Sequence, residues 1–296
     1  MNYNDFGIDS VSLAGSLETR LAAARQAGFS QVMISADDIV GHPAGTAEGV
    51  RAIRESGLRV TGLEALRDYE GLGGKMHEYK VDIAKSMLEL CRSIGGRLLL
   101  TEASTSVHAD VDAEWIARDL RKLATLALPL GIRIAFKPMS WSRTARDLVS
   151  AYDIVSLADC GNLGLAIDAF EMIAAGAAPE ELDGIFHRQI FLVQLSDFMV
   201  HELGSPEEKA VTATRFRVFP GEGAHSEEVA NFVVKLEAMG YLGDYSFDVY
   251  NGDYLQVPPE VIARRARRAA DWLGERVLRR ALPVPNMDRL RGLARD

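Results

Sequence analysis

Eight short apolar runs, each followed by a stretch of helical length, set what this chain can fold into. The runs are "FGIDSVSL", "QVMIS", "RVTGLEA", "RLLLTEA", "IRIAFK", "LGLAID", "IFLVQLSD" and "YSFDVY". Between them lie amphipathic segments such as "LETRLAAARQAG", "MHEYKVDIAKSMLELCRSIG", "AEWIARDLRKLATLALPLG" and "ARDLVSAYDIVSLAD". Many of these segments run into a glycine, the residue favoured just past a helix C-terminus. Strand–helix alternation predicts right-handed βαβ units and hence a parallel sheet. Eight units in about 280 residues suit a closed (β/α)8 TIM barrel of the α/β class better than an open doubly wound sheet. No GxGxxG follows the first run, as a dinucleotide-binding open sheet would require. Residues 1–280 therefore read as a single barrel, and 281–296, "ALPVPNMDRLRGLARD", as a C-terminal tail on the surface or at an oligomer contact.

The bulk numbers agree with a large buried core. Hydrophobic residues make up 48% of the 296 positions and charged ones 25%, the balance of a globular protein. With 33 basic and 42 acidic residues the net charge is −9, which argues against nucleic acid or an anionic membrane as the main partner. Cys91 and Cys160 form no CxxC pair and are expected as free core thiols. The N-terminus "MNYNDFGIDS" has neither a basic nor an apolar signal region, and no run reaches the roughly 18 apolar residues of a spanning helix. The expected compartment is the cytoplasm.

In a barrel of this kind the site lies at the C-terminal ends of the strands. Those ends read Asp9 with Ser10, Ser35, Glu64, Glu102, Lys137, Asp168, Gln194 with Asp197, and Asp248. Gathering so many charges at one mouth is costly unless they pair or bind an ion. A polar functional site at that end is the direct inference.

The motifs "SVSLAGSLETRLAAARQAGF", "LRDYEG", "IAFKPMSW", "LGLAIDAF", "IFLVQLSDF", "FRVFPGEGAHSEEVANFVVKLEAMGY" and "YSFDVYNGDY" occur in that order along most of the chain. Together they resemble the xylose-isomerase-like (sugar phosphate isomerase/epimerase) superfamily, with the nearest likeness to bacterial 3-dehydroshikimate dehydratases. The resemblance implies a divalent metal (Mg, Mn or Co) in the barrel mouth, on Glu, Asp, His or Gln, and Glu at the ends of strands five to eight. The matching positions here are Lys137, Asp168, Gln194 and Asp248. Asp168 and Gln194 keep the pattern and Asp248 shortens it by one methylene. Lys137 departs from it, because an ammonium has no lone pair to give a metal. Where the dehydratases commonly carry a histidine after the metal-binding aspartate, this chain has Glu171.

Charge counting suggests why. Three carboxylates around a divalent ion sum to −1, and so do Asp168, Asp248 and the Lys137 ammonium. The lysine is thus assigned part of the metal's electrostatic work, with no cofactor needed. Nearby carboxylates raise an amine's pKa, which disfavours Schiff-base chemistry and favours an ammonium that stabilises an enolate. Two other readings stay open: a salt bridge that fills an abandoned site, and a metal on Asp168, Gln194 and Asp248 with Glu102 or Glu171 as a fourth oxygen ligand.

For the remaining roles, Glu102 and Glu171 are candidate general bases. Arg67, placed in the loop after strand three, and Arg217 in "RFRVFPGEG" are candidate clamps for a substrate carboxylate, with Arg215 beside the latter. Gln194 would hydrogen-bond substrate and Trp141 would wall the site. His201 is a weaker acid/base candidate, and the other histidines show no metal-binding spacing. The expected function is a dehydratase-like lyase acting on a small carbonyl-containing acid, cyclic or polyhydroxylated, in a chain that forms homo-oligomers. A metal-dependent sugar or keto-acid isomerase/epimerase, or a barrel that only binds ligand, is the alternative.

Overall fold

The protein is described by a computed structural model covering residues 6–279. The tail assigned to 281–296 lies outside the described residues. The strands are β1 (Phe6–Asp9), β2 (Gln31–Ser35), β3 (Arg59–Arg67), β4 (Leu98–Glu102), β5 (Arg133–Lys137), β6 (Leu163–Asp168), β7 (Ile190–Leu195), β8 (Asp197–Phe198), β9 (Arg217–Val218) and β10 (Asp244–Phe247). Eight of them close into a parallel barrel in the order β1-β10-β7-β6-β5-β4-β3-β2, while β8 and β9 pair antiparallel as a separate ribbon. The expected (β/α)8 barrel is what the chain forms.

The helices are α1 (Leu17–Gln26), α2 (Ala36–Val40), α3 (Thr46–Glu55), α4 (Gly74–Ser93), α5 (Ala113–Ala127), α6 (Leu148–Ala158), α7 (Ala169–Ala175), α8 (Pro206–Arg215), α9 (Ser226–Ala238) and α10 (Pro259–Asp271). Side-chain caps start several of them. Asp112 accepts from the Trp115 amide at 2.9 Å, Asp147 accepts from Ser150, and Ser205 with Glu208 forms a reciprocal capping box. Each satisfies amides that a helix leaves without partners in its first turn. Among the described residues no helix is long and apolar enough to cross a membrane. Cys91 and Cys160 are both free.

The period of two along the strands separates two apolar layers. Residues such as Leu99, Ile134, Leu165, Ile167 and Val193 join the main core, which also takes in the inner faces of the helices. Their neighbours Leu98, Leu100, Ala135, Ala166 and Leu192, with Met33 and Phe191, form a smaller cluster that floors the barrel. Continuing the same inward rows by one step gives Glu102, Lys137, Asp168 and Gln194. An apolar floor thus ends in a polar rim. Gly164 is required below that rim, since a Cβ there would lie 2.4 Å from the Gln189 carbonyl oxygen and 2.9 Å from the Phe191 ring.

Four boundaries differ from the sequence reading, one of them at the eighth run, whose strand stops at Phe247 and leaves Asp248 just past its end. The first run stops at Asp9, and Ser10–Ser12 turn away as a short 3-10 segment. The third strand extends to Arg67, which pairs in register with Glu102, so this arginine belongs to the strand end and not to a loop. The seventh run breaks at Ser196, after which Asp197 leaves the barrel.

Candidate active site

Register brings the rim together. Arg67, Glu102 and Lys137 are successive partners across β3, β4 and β5, and Asp168, Gln194 and Ser246 across β6, β7 and β10. Lys137 is 2% exposed. Its Nζ lies 3.0 Å from Gln194 Oε1, 3.1 Å from Glu102 Oε1, and 3.7 Å from both Asp168 Oδ2 and Asp248 Oδ2. Burial alone would lower the amine's pKa, but Glu102, Asp248 and Asp168 overcome it and hold the pKa above the usual lysine value. The group is an ammonium.

A second buried cation stands beside it. Arg217, at the start of β9, is 3% exposed and reaches back into the mouth. Its Nη1 donates to Asp168 Oδ2 at 2.8 Å, Asp248 Oδ2 at 3.3 Å and Ser196 Oγ at 3.2 Å, and Nε donates to the Ala213 carbonyl. Nη2 lies 3.6 Å from Glu171 Oε1, and the guanidinium sits 4.6 Å over the Phe170 ring. Arg217 was expected to clamp substrate; the structure has its Nη1 and Nε bonded to the protein's own groups, Asp168 and Asp248 among them. Lys137 and Arg217 together bring two positive charges to Asp168 and Asp248.

The candidate bases separate sharply. Burial would raise the pKa of Glu102, but Lys137 and Arg67 reverse that and pull it to about 2; Arg67 Nε donates to its Oε2 at 2.8 Å. Glu102 is a committed counter-ion and a poor base. Glu171 behaves oppositely, raised to about 8 by burial and by Asp168. Its Oε2 accepts from the Ser140 amide at 2.7 Å, while the buried Oε1 has no hydrogen bond.

Beneath the rim lies a group that was noted at the strand ends without a role. Gln194 Nε2 donates to Asp9 Oδ2 at 2.6 Å and Glu64 Oε2 at 3.3 Å, and Ser246 donates to Asp9. Asp9 is raised to about 7 by burial and by Asp248, and Glu64 well above its ordinary value by burial and by Asp9. The position of both at inward strand ends was the only signal in the sequence. His201 is exposed, with its ring 6.3 Å from that of His225. Trp141 packs edge-on against Phe170 and lines a mouth cavity of about 830 Å³ with Lys137, Arg67, Glu171 and Arg217.

A metal does not fit this donor set. Of the groups that the resemblance assigned to it, Asp168 and Asp248 each turn Oδ2 to the ammonium and the guanidinium, and Gln194 turns Oε1 to the ammonium. Among the described residues no three His, Cys, Asp or Glu side chains are grouped to hold a metal ion.

A family model described as xylose isomerase-like TIM barrel matches residues 21–276. The chain belongs to the xylose isomerase-like TIM barrel family. It is 29% identical over 286 residues to a 3-dehydroshikimate dehydratase of Pseudomonas aeruginosa, a match spanning 96% of this chain and 44% of that protein. It is 25% identical over 216 residues to an inosose isomerase of Bacillus licheniformis, 71% of this chain and 74% of that one. Among solved structures, a xylose isomerase-like TIM barrel/4-hydroxyphenylpyruvate dioxygenase fusion protein superposes with a TM-score of 0.85 at 27% identity, covering 93% of this chain and 43% of that one. This member of the family therefore spans less than half the length of its Pseudomonas dehydratase relatives.

The raised acids bear on stability. From about pH 4 to 8 the folded chain keeps protons on Asp9 and Glu171 that an unfolded chain has lost, so stability falls as pH rises through that range. Glu102 acts in the opposite sense, and its contribution is lost as pH drops from 4.5 toward 2. Glu171→Gln removes one of the retained protons. Urea melts at several pH values should give a shallower decline between pH 5 and 8 for the variant; an unchanged slope would show that Glu171 titrates normally.

Proposed function

We propose that this barrel is a dehydratase-type lyase that acts on a small carbonyl-containing acid and uses Lys137 where relatives are expected to use a metal. One observation carries the reading. An ammonium has three N–H donors, yet only Gln194 and Glu102 offer oxygens within 3.1 Å, and Asp168 and Asp248 stand at 3.7 Å, beyond hydrogen-bond range. One N–H of a group that lines the cavity is left for a ligand oxygen.

The chemistry follows from that donor. A substrate carbonyl oxygen placed on Lys137 makes the neighbouring C–H more acidic, because the developing enolate is held by a fixed positive charge. Ionised Glu171 takes that proton. The enolate then re-forms its carbonyl, the C–O bond of the β-hydroxyl breaks, and the departing hydroxide takes the proton back from Glu171 as water. A carboxyl with a pKa of about 8 suits both halves. Because the base form is needed first, the rate should rise with pH toward about 8.

The likeness to dehydratases over 96% of the chain supports elimination. Return of the proton to the adjacent carbon of the same enolate would instead be isomerisation, which the likeness to inosose isomerases supports more weakly. The first test is turnover of 3-dehydroshikimate, and then of related hydroxylated keto acids, by protein purified without chelators and assayed with and without EDTA. Turnover unaffected by EDTA, with substoichiometric metal by elemental analysis, is expected. Stoichiometric Mg, Mn, Co or Zn whose removal abolishes turnover would defeat the lysine assignment.

A further inference from the structure

The mouth is lined by four cations, and three are already paired with the protein's own carboxylates. Lys137 faces four oxygens, Arg217 is held by Asp168, Asp248 and Glu171, and Arg67 donates to Glu102. The fourth is Arg215. It is exposed, it lines the cavity, and among the described residues its side chain makes no hydrogen bond or ion pair. Its backbone, by contrast, is stitched down. Arg215 closes α8 and its carbonyl accepts from the Gly252 amide at 3.0 Å. Next to it Phe216 bridges Asn251, and the Arg217 amide donates to the Tyr250 carbonyl at 3.3 Å. Tyr250 and Gly252 line the same cavity. A free guanidinium is thus carried on a fixed base at the edge of the site.

We propose that Arg215 is the anchor for the substrate's carboxylate. This rests on the reading above and narrows its substrate class to a monocarboxylate. A guanidinium forks onto a carboxylate through two parallel hydrogen bonds, and here it does so without first breaking an internal ion pair, as Arg67 or Arg217 would have to. The same rim also carries Asp37, Glu64, Asp68 and Asp248. One uncommitted positive charge among these acids suits a single negative charge better than a phosphate dianion. Arg215 and Arg217 are two residues apart, but the change from helix to strand between them turns one toward the ligand space and the other into the protein.

The test compares binding of 3-dehydroshikimate and its neutral methyl ester by calorimetry, in the wild type and in Arg215→Ala, Arg215→Lys and Arg67→Ala. The wild type is expected to prefer the acid. Arg215→Ala should weaken acid binding about 10- to 100-fold, leave ester binding within about twofold, and raise KM while kcat stays within a few-fold; Arg215→Lys should recover part of the loss. Inorganic phosphate should compete poorly. Acid binding unchanged in Arg215→Ala, a loss confined to Arg67→Ala, or phosphate competing as well as the acid would each overturn the assignment while leaving the lyase reading intact. A wild type that binds neither compound, nor any other small keto acid against its ester, would remove both.

Discussion

Lys137→Met is expected to cut turnover by about 10²–10³-fold while leaving ligand binding within a few-fold of wild type. The size follows from what is removed: a fixed charge in a site 2% exposed, aimed at the oxygen that gains negative charge, a class of contact worth about that factor. Binding should survive because the ligand's ground-state carbonyl carries little charge for the lysine to hold. A stability loss should accompany it. Methionine leaves Glu102 with Arg67 alone and strands the Gln194 carbonyl oxygen, and breaking a buried ion pair costs roughly 3–5 kcal/mol. Lys137→Arg separates the alternatives. It keeps a charge and donors, so partial activity should return if the role is electrostatic, whereas a Schiff base cannot form on a guanidinium. Borohydride with substrate should likewise leave no adduct on residue 137. If Lys137→Met lost stability while kcat was unchanged, the lysine would be a structural salt bridge and nothing more.

The barrel could be read from the chain because its determinant is local. Alternation of short apolar runs with amphipathic segments survives any error in boundaries, and the rule that strands end at the site selected Glu102, Lys137, Asp168, Gln194 and Asp248 at once. What touches what could not be read, because contacts depend on register between strands. Glu102 sits closest to Lys137 after Gln194 because β4 and β5 align those two residues, and that pairing turns a candidate base into a counter-ion. Arg217 was harder still. No local pattern says that a segment more than twenty residues beyond β7 folds back over the mouth. The charge count of one lysine against two aspartates was therefore incomplete: the second positive charge arrives from a ribbon outside the barrel.

Arg217→Met tests that second charge, and its largest effect should be on stability. The guanidinium is 3% exposed and serves Asp168, Asp248, Ser196 and the Ala213 carbonyl together. Removing it leaves buried carboxylates facing one another, at a cost of roughly 3–5 kcal/mol and a melting temperature lowered on the order of 10 °C for a domain of this size. The loss should be largest at high pH and shrink in acid, because protonating the abandoned carboxyls removes the repulsion. Asp168→Asn in the Arg217→Met background should recover part of it, as coupled neighbours do in a double-mutant cycle. Catalysis offers an independent readout. Arg217 lowers the pKa of Glu171 against burial and Asp168, which raise it to about 8; without the guanidinium the rising limb of the pH–rate profile should move to higher pH. A variant as stable as wild type, with that limb unmoved, would mean that the charge balance in the mouth is kept by Lys137 alone.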